Sequence, residues 1–457
     1  MALKREYGQE QPFISAGPFK IRIPFIHYKF EWADYIQGLL MCAVCLGAIP
    51  MLQEYLGMPF EIAMAVVVLN GILYCTHVLL GDPVIPGWVT PAIPLLMLHV
   101  SQFEKGPDRI HALIAFELML GILALFLGIT GLGKKIVSLV PNAMQSGIIL
   151  GAGIAAINVI FVKDARFDQF PFAITICVGL GFYLLFSNHF KSIRENSKLL
   201  KTISDLGILP IVLLAVVVGP LVKETPWSQI ELGITRPDFL GLWRDWTIFG
   251  LGFPSAKMFL SSIPMVISAY IVLFGDMIQA NALLEDAAKF RPDEKIDYNA
   301  NRTHIIFGLR NSIMAIIGPD ITMCGPLWAA MQVVVCERYK KGRESMDSIN
   351  GGAGSFRFGT LTGYMILPIV TLCKPILGIA LASTMLIQGY VSVRVGVMKA
   401  RTYNDMGIAG IMAAVLATRG AAWGLGAGIV LCLLVQLGNK PELDNYIFES
   451  NKDDEIA

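Results

Sequence analysis

Apolar runs of roughly 15 to 22 residues alternate with short polar segments from about residue 33 to about residue 437. A helix rises about 1.5 Å per residue, so a run of this length matches a hydrocarbon core about 30 Å thick. The pattern predicts membrane helices over 33–52, 59–80, 88–100, 110–131, 134–158, 171–187 and 207–222. A second set follows over 256–284, 302–317, 322–336, 356–372, 374–395, 404–419 and 420–437. The expected fold is therefore an all-α polytopic membrane protein of about fourteen segments.

Two spans break the pattern. The third is short and follows "GDPVIPGWVTPAIP" (Gly81 to Pro94); the tenth is short and follows "GPDITMCGPLW" (Gly318 to Trp328). Each is third in its set of seven, and paired Gly/Pro interruptions at corresponding positions point to a 7+7 inverted repeat with a midplane binding site. "PNAMQSG" (Pro141 to Gly147) and "KPILG" (Lys374 to Gly378) open the fifth and twelfth spans, again matched positions. Pro83, Pro86, Pro91, Pro319 and Pro326 lack donors and disfavour helix before them. The helices that finally begin expose free N–H groups and a positive dipole end at membrane depth, suited to an anion or to the carbonyl oxygens of a neutral solute.

Composition agrees: 55% of residues are hydrophobic and 16% are charged, outside the range of an ordinary soluble domain. The first thirty residues carry Lys4, Arg5, Lys20, Arg22 and Lys29 with no early apolar core, which reads as a cytosolic segment rather than a signal peptide. With that end inside, alternate loops hold about 22 basic residues on the inner side and about 10 on the other, so both termini are expected in the cytosol. The net charge of +1 averages a basic inner face against acidic loops and identifies no partner; no nucleic acid is expected.

Asp276 lies within the apolar eighth span, where a carboxylate must pair, face a cavity or take up a proton. Proton coupling and sodium coordination with backbone carbonyls are both open to it. Helical spacing sets Val272, Asp276, Gln279 and Ala280 on one side, with Ser268 a turn earlier. Asp320, expected near the outer mouth, could offset the helix start that follows. Arg310 could pair with Asp276 or Asp320, or serve as an anion's counter-charge. Thr90 and Thr322 stand at the two expected helix starts, and Trp88 could offer a platform to a planar solute. Glu117, His77 and Asn70 read as interhelical hydrogen-bonding groups. The eight cysteines are scattered, and Cys42 and Cys45 read as small buried residues. "SINGGAGSFRFG" (Ser348 to Gly359) reads as a hinge or tight re-entry. No phosphate loop, nucleophile elbow or H-E-x-x-H motif is present, so neither an enzyme nor ATP-driven transport is expected, and no cofactor or metal.

The layout resembles the uracil-permease fold, shared by the nucleobase-ascorbate (xanthine/uracil) permeases, the sulfate permeases and the bicarbonate transporters, over residues 33 to 437. In "YIQGLLMCA" Gln37 matches the glutamine of the nucleobase family's Leu-Gln-His signature, with Gly38 in the place of His. In "VLFGDMIQAN" Gly275 and Asp276 match, with Val272 at the substrate-binding glutamate. In "ITMCGPLW" Gly325 matches, with Thr322 and Met323 at the two polar positions. "DYNANRTHIIFGLRN" (Asp297 to Asn311) is similar to the sulfate permeases, although the twenty residues 438–457 leave no room for their usual C-terminal domain. The resemblance implies a core domain from 33–131 and 256–337 with the loop and span of 338–372. A gate domain would come from 132–222 and 373–437, with 1–32 and 438–457 as cytosolic ends and 223–255 an extracytoplasmic connection. It further implies an ion-coupled (H⁺ or Na⁺) secondary transporter of elevator or rocking type, dimerising through its gate domains in a bacterial-type inner membrane. The solute would be a small anion or a nucleobase-like compound held by Gln37, Trp88, Val89, Thr90, Asp276, Thr322, Met323, Cys324 and Gly325, with Asp276, Asp320 and Arg310 in ion coupling. A sulfate-permease-like exchanger and an anion channel are the alternatives.

Overall fold

The computed structural model describes residues 3–436, apart from 195, 198, 201, 202, 204 and 205; the expected tail at 438–457 lies outside the described residues. A helix forms at every expected span. The first runs Trp32–Cys45, Ala48–Met51 and Leu52–Leu56, ending at Gly57 in the left-handed region. The second, Phe60–Leu79, starts after Pro59, and the fourth, Pro107–Thr130, stops at left-handed Gly131. Ala256–Ala288 forms the eighth, Ala300–Ile317 the ninth, Leu377–Lys399 the twelfth, Tyr403–Arg419 the thirteenth and Ala421–Gln436 the fourteenth. Asn299 caps the ninth by accepting from the Arg302 N–H, and Thr402 and Asp405 form a reciprocal capping box on the thirteenth. Among the described residues six helices are long and apolar enough to cross a membrane, or seven if the bent pair Pro171–Phe186 and Asn188–Arg194 is one span. Thr90–Val100, Leu209–Leu221 and Ala421–Gln436 are shorter apolar helices.

Three segments differ from expectation. The fifth is split into Gly133–Ser138 and Asn142–Phe161, because Pro141 cannot continue the first piece. The tenth helix begins at Ala329, not 322, so Thr322 to Gly325 belong to non-helical chain. "SINGGAGSFRFG" is no hinge: it is the first half of the helix Ile349–Met365, capped by the Ser348 side chain.

Its glycines serve packing instead. A Cβ on Gly359 would stand 2.1 Å from the Tyr35 carbonyl oxygen, and one on Gly38 would stand 2.0 Å from that of Phe356. The first and eleventh helices therefore touch backbone to backbone, a contact that small residues permit and that lipid cannot supply. The fourth and ninth meet in the same way at Gly121 and Gly308.

The N-terminal segment binds one end of this bundle. Its hairpin pairs Ile14 with Ile21 and Ala16 with Phe19, and from its second strand and just after it the Lys20 and Arg22 amides donate to the Leu80 and Leu79 carbonyls at 3.1 and 2.8 Å. Arg5 donates to Asp293 at 2.9 Å and to the Asp347 carbonyl at 3.1 Å. Arg291 donates to the Tyr339 and Met346 carbonyls, and Arg338 pairs with Glu31 and Asp34. Residues 3–31, the linker after the eighth helix and the segment after the tenth thus share one face. Hydrogen bonds and charge from Arg291, reinforced by Arg5, hold the Asp293 carboxyl at about 2. Burial outweighs Arg5, 3.5 Å away, and pushes Glu294 up to about 7.

Two outcomes follow for stability, both read as thermal unfolding midpoints in detergent. Gly359→Ala loses roughly 1–3 kcal/mol by overpacking, whereas Gly275→Ala, whose Cβ meets nothing within 4 Å, leaves the midpoint unchanged or higher. Glu294 binds its proton more tightly in the folded chain than at its ordinary value of 4.5. Its contribution to stability is therefore present below 4.5 and falls as pH rises from there through about 7. Glu294→Gln flattens that part of the profile, and an unchanged slope in the variant would refute the assignment.

Candidate functional site

The two interrupted segments cross. Gly87 and Gly325 form an isolated antiparallel bridge, the Gly87 amide donating to Gly325 at 3.2 Å and the Gly325 amide donating back at 2.7 Å. The Trp328 amide donates to the Ile85 carbonyl at 2.6 Å, and the Ile85 amide donates to the Gln332 side-chain oxygen at 2.7 Å. Glycine is required on one side, since a Cβ at Gly87 would lie 2.8 Å from that of Trp328. From this crossing one strand enters the turn Thr90–Ala92 and the helix Ile93–Val100, the other the helix Ala329–Lys340. Neither start has a side-chain cap; at the first the Ala92 and Ile93 amides donate to the Val89 and Thr90 carbonyls and Pro91 and Pro94 have none, so the first-turn amides that stay available are those of Ala329–Lys340.

The residues around these starts are partly open. Trp88, Thr90, Pro91, Trp328 and Ala329 are half-buried and Ala330 is exposed. Gln37, also half-buried, directs its amide nitrogen at the Met331 sulfur, 4.0 Å away. On the eighth helix Gly275 and Gln279 are exposed and Asp276 is half-buried, and among the described residues Asp276 has no hydrogen bond or ion pair. Val89 and Val272 are buried.

The other expected site residues lie behind the crossing in a closed polar network. Arg310 donates to Asn70 and, at 2.8 Å, to Asn311; Asn70 in turn donates to Asp320. Asp320 accepts from the Thr322 amide at 3.0 Å and from its hydroxyl, while its own amide donates to Glu117 at 3.1 Å. Asn311 holds Cys324 at both backbone groups, accepting from its amide and donating to its carbonyl at 3.0 Å each. The Cys324 sulfur meets His77 at 3.5 Å, and His77 meets Asp82 at 3.4 Å. All of these side chains are buried, so Asp320 is not at an outer mouth. Arg310 reaches Asp320 through Asn70, and neither touches Asp276. Thr322 is not at a helix start; its hydroxyl is committed to Asp320. Met323 takes a left-handed φ of 51°, held by the hydrogen bonds on either side.

No family model matches this chain, and neither does any curated protein. Among solved structures it is similar to the transmembrane domain of the cyanobacterial bicarbonate transporter BicA. The TM-score is 0.54 at 15% identity, covering 87% of this chain and 96% of that one. It is also similar to SLC26A9 at TM-score 0.53 and 13% identity, covering 88% of this chain and 64% of that one. For the murine Slc26a9 anion transporter in its inward-facing state the values are 0.50 and 12%, over 89% and 68%. The chain shares their fold. Its apolar helices and this fold make it a multi-pass membrane protein, and nothing in these similarities selects the nucleobase permeases.

Several neighbours of the site escaped the sequence reading. Trp328, not Thr322, is the residue before the tenth helix, and Gln332 ties the two strands together. Tyr74 carries two guanidinium groups on its ring, Arg310 at 4.7 Å and Arg357 at 4.3 Å. The one signal for Arg357 was an arginine between two phenylalanines in an apolar run.

Breaking the closed network exposes its cost. Arg310→Gln or Asn70→Ala lowers stability by about 3–5 kcal/mol, the range for removing one member of a buried charged network. Gln37→Ala, with only a sulfur contact to lose, stays within about 0.5 kcal/mol. Chemical unfolding in detergent checks both, and equal losses would contradict the division between closed and open residues.

Proposed function

We propose that the protein is a secondary active transporter of a small solute, most simply an anion, held between the starts of Ile93–Val100 and Ala329–Lys340. The observation that carries this reading is the Gly87–Gly325 crossing, which brings two helix starts without side-chain caps together, with the eighth helix, bearing the unpaired Asp276, packed against both helices. Two helix N-termini favour negative charge, and no carboxylate stands at Val272 or Thr322 to repel it. Solved proteins of this fold include a bicarbonate transporter and an anion transporter, which supports the same choice. Trp88, half-buried beside Thr90, favours a planar solute as the second reading.

In this proposal fourteen spans form a 7+7 inverted repeat with both termini in the cytosol of a bacterial-type inner membrane. The parts 33–131 and 256–372 form a core that carries the solute, in an elevator-like or rocking motion, against a gate formed by 132–222 and 373–437. The gate halves also form the contact of a homodimer. Asp276 is the coupling residue, exchanging a proton or helping to hold Na⁺, because a carboxylate at membrane depth without a protein partner needs a counter-ion.

Counterflow in proteoliposomes tests the transporter reading. Unlabelled solute loaded inside should drive transient accumulation of labelled bicarbonate, sulfate, nitrate or a small carboxylate from outside, with uracil as the planar neutral comparison. Flux without counterflow would favour a channel. Asp276→Asn should keep counterflow but lose accumulation driven by a pH or Na⁺ gradient; wild-type driven uptake by that variant would remove Asp276 from coupling.

A further inference from the structure

We infer that Arg357 is an oxyanion-binding residue, supplying the positive charge against which the transported anion settles at the start of the helix Ala329–Lys340. The inference rests on the anion reading above and gives it a chemical class. Arg357 is 1% exposed, and none of its three guanidinium nitrogens has a hydrogen-bond partner among the described residues. No carboxylate pairs with it there either: it lies over the Tyr74 ring at 4.3 Å, with the rings of Trp328 at 5.1 Å and Phe356 at 5.8 Å. The other groups that feel its charge are the thiols of Cys45, Cys75 and Cys324 and the phenol of Tyr364, and the Cys45 thiol, a weak acceptor, is the one of them near enough to hydrogen-bond to it. Arg310 makes the contrast, packing on the Tyr74 ring as well but with both terminal nitrogens bonded to Asn311 and Asn70, its Nε alone unpartnered, and linked through Asn70 to Asp320. Aromatic faces offset only part of the cost of a buried cation. Arg357 is thus the buried guanidinium of this region whose donors and charge both remain unmatched.

Its position says what would match it. Trp328, whose ring packs on Arg357, is also the residue that precedes the uncapped helix Ala329–Lys340, and it is half-buried, next to exposed Ala330. Charge and free amides therefore adjoin at a point reachable from the open side of the site. Three rings surround the guanidinium, and what it can offer an anion is its fork of N–H donors, which pairs with two oxygens of one ion. Nitrate, bicarbonate or a small carboxylate fits that fork; a halide engages it at one point.

The test uses the purified full-length chain in detergent, with thermal unfolding followed against potassium nitrate, bicarbonate, chloride and neutral uracil at constant ionic strength. Nitrate and bicarbonate should stabilise the wild type at lower concentration than chloride. Arg357→Gln should weaken nitrate binding at least about tenfold, and Arg357→Lys, which keeps the charge and loses the fork, should erase the preference for nitrate over chloride. Both variants should elute as monodisperse species; if the glutamine variant does not fold, the lysine variant alone decides. Nitrate binding at wild-type affinity in the variants would overturn the role of Arg357 and leave the anion reading standing. Stabilisation by uracil and by no anion would overturn both.

Discussion

A peptide group without a hydrogen-bond partner in hydrocarbon costs several kcal/mol, and the centre of this protein is organised by that cost at Gly87 and Gly325. Two proline-bearing strands that cannot be helical satisfy each other across the crossing, and Gln332 and Asn311 supply what the strands cannot. Everything nearby is arranged around them. Asn70, Asp320, Arg310 and Glu117 lock the second strand from behind, which leaves the front, with Thr90, Ala330 and Asp276, open.

The division between a locked back and an open front also divides the charges. Arg310 and Asp320 are joined through Asn70, so their fields largely cancel where they are made. Asp276 and Arg357 are each left without an opposite partner, one half-buried on the eighth helix and the other enclosed beside the tenth. A bilayer tolerates such groups at a steep cost. In the proposed transporter, the coupling ion and the solute are the partners that lower it.

Helices were legible because the length of an apolar run is itself the physical requirement for crossing a membrane, and the short third and tenth spans were legible because Pro and Gly have few conformations to offer. The start of the tenth helix was misplaced although Pro326 marks it: a proline disfavours helix before it, and Trp328 still spends its amide on Ile85. The Gly-rich opening of the eleventh helix was read as a hinge from intrinsic propensity. Its glycines answer instead to the backbone of a helix more than three hundred residues earlier, a partner no local window contains. The same holds for Arg357, whose surroundings come from the second, tenth and eleventh helices together, and for Asp320, which nothing in its own segment marks as buried.

The N-terminal clamp has a consequence for how the protein is made. Arg5 reaches Asp293 and the Asp347 carbonyl, and the strand holding Gly87 waits for Gly325. The N-terminal segment thus finds its partners only after residues 293 and 347 are made, and the strand holding Gly87 stays unpaired while more than two hundred further residues are synthesised. A truncated chain ending before residue 325 would therefore carry a permanently open seam, and quality-control proteases would meet it as an unfinished protein rather than as half of a finished one.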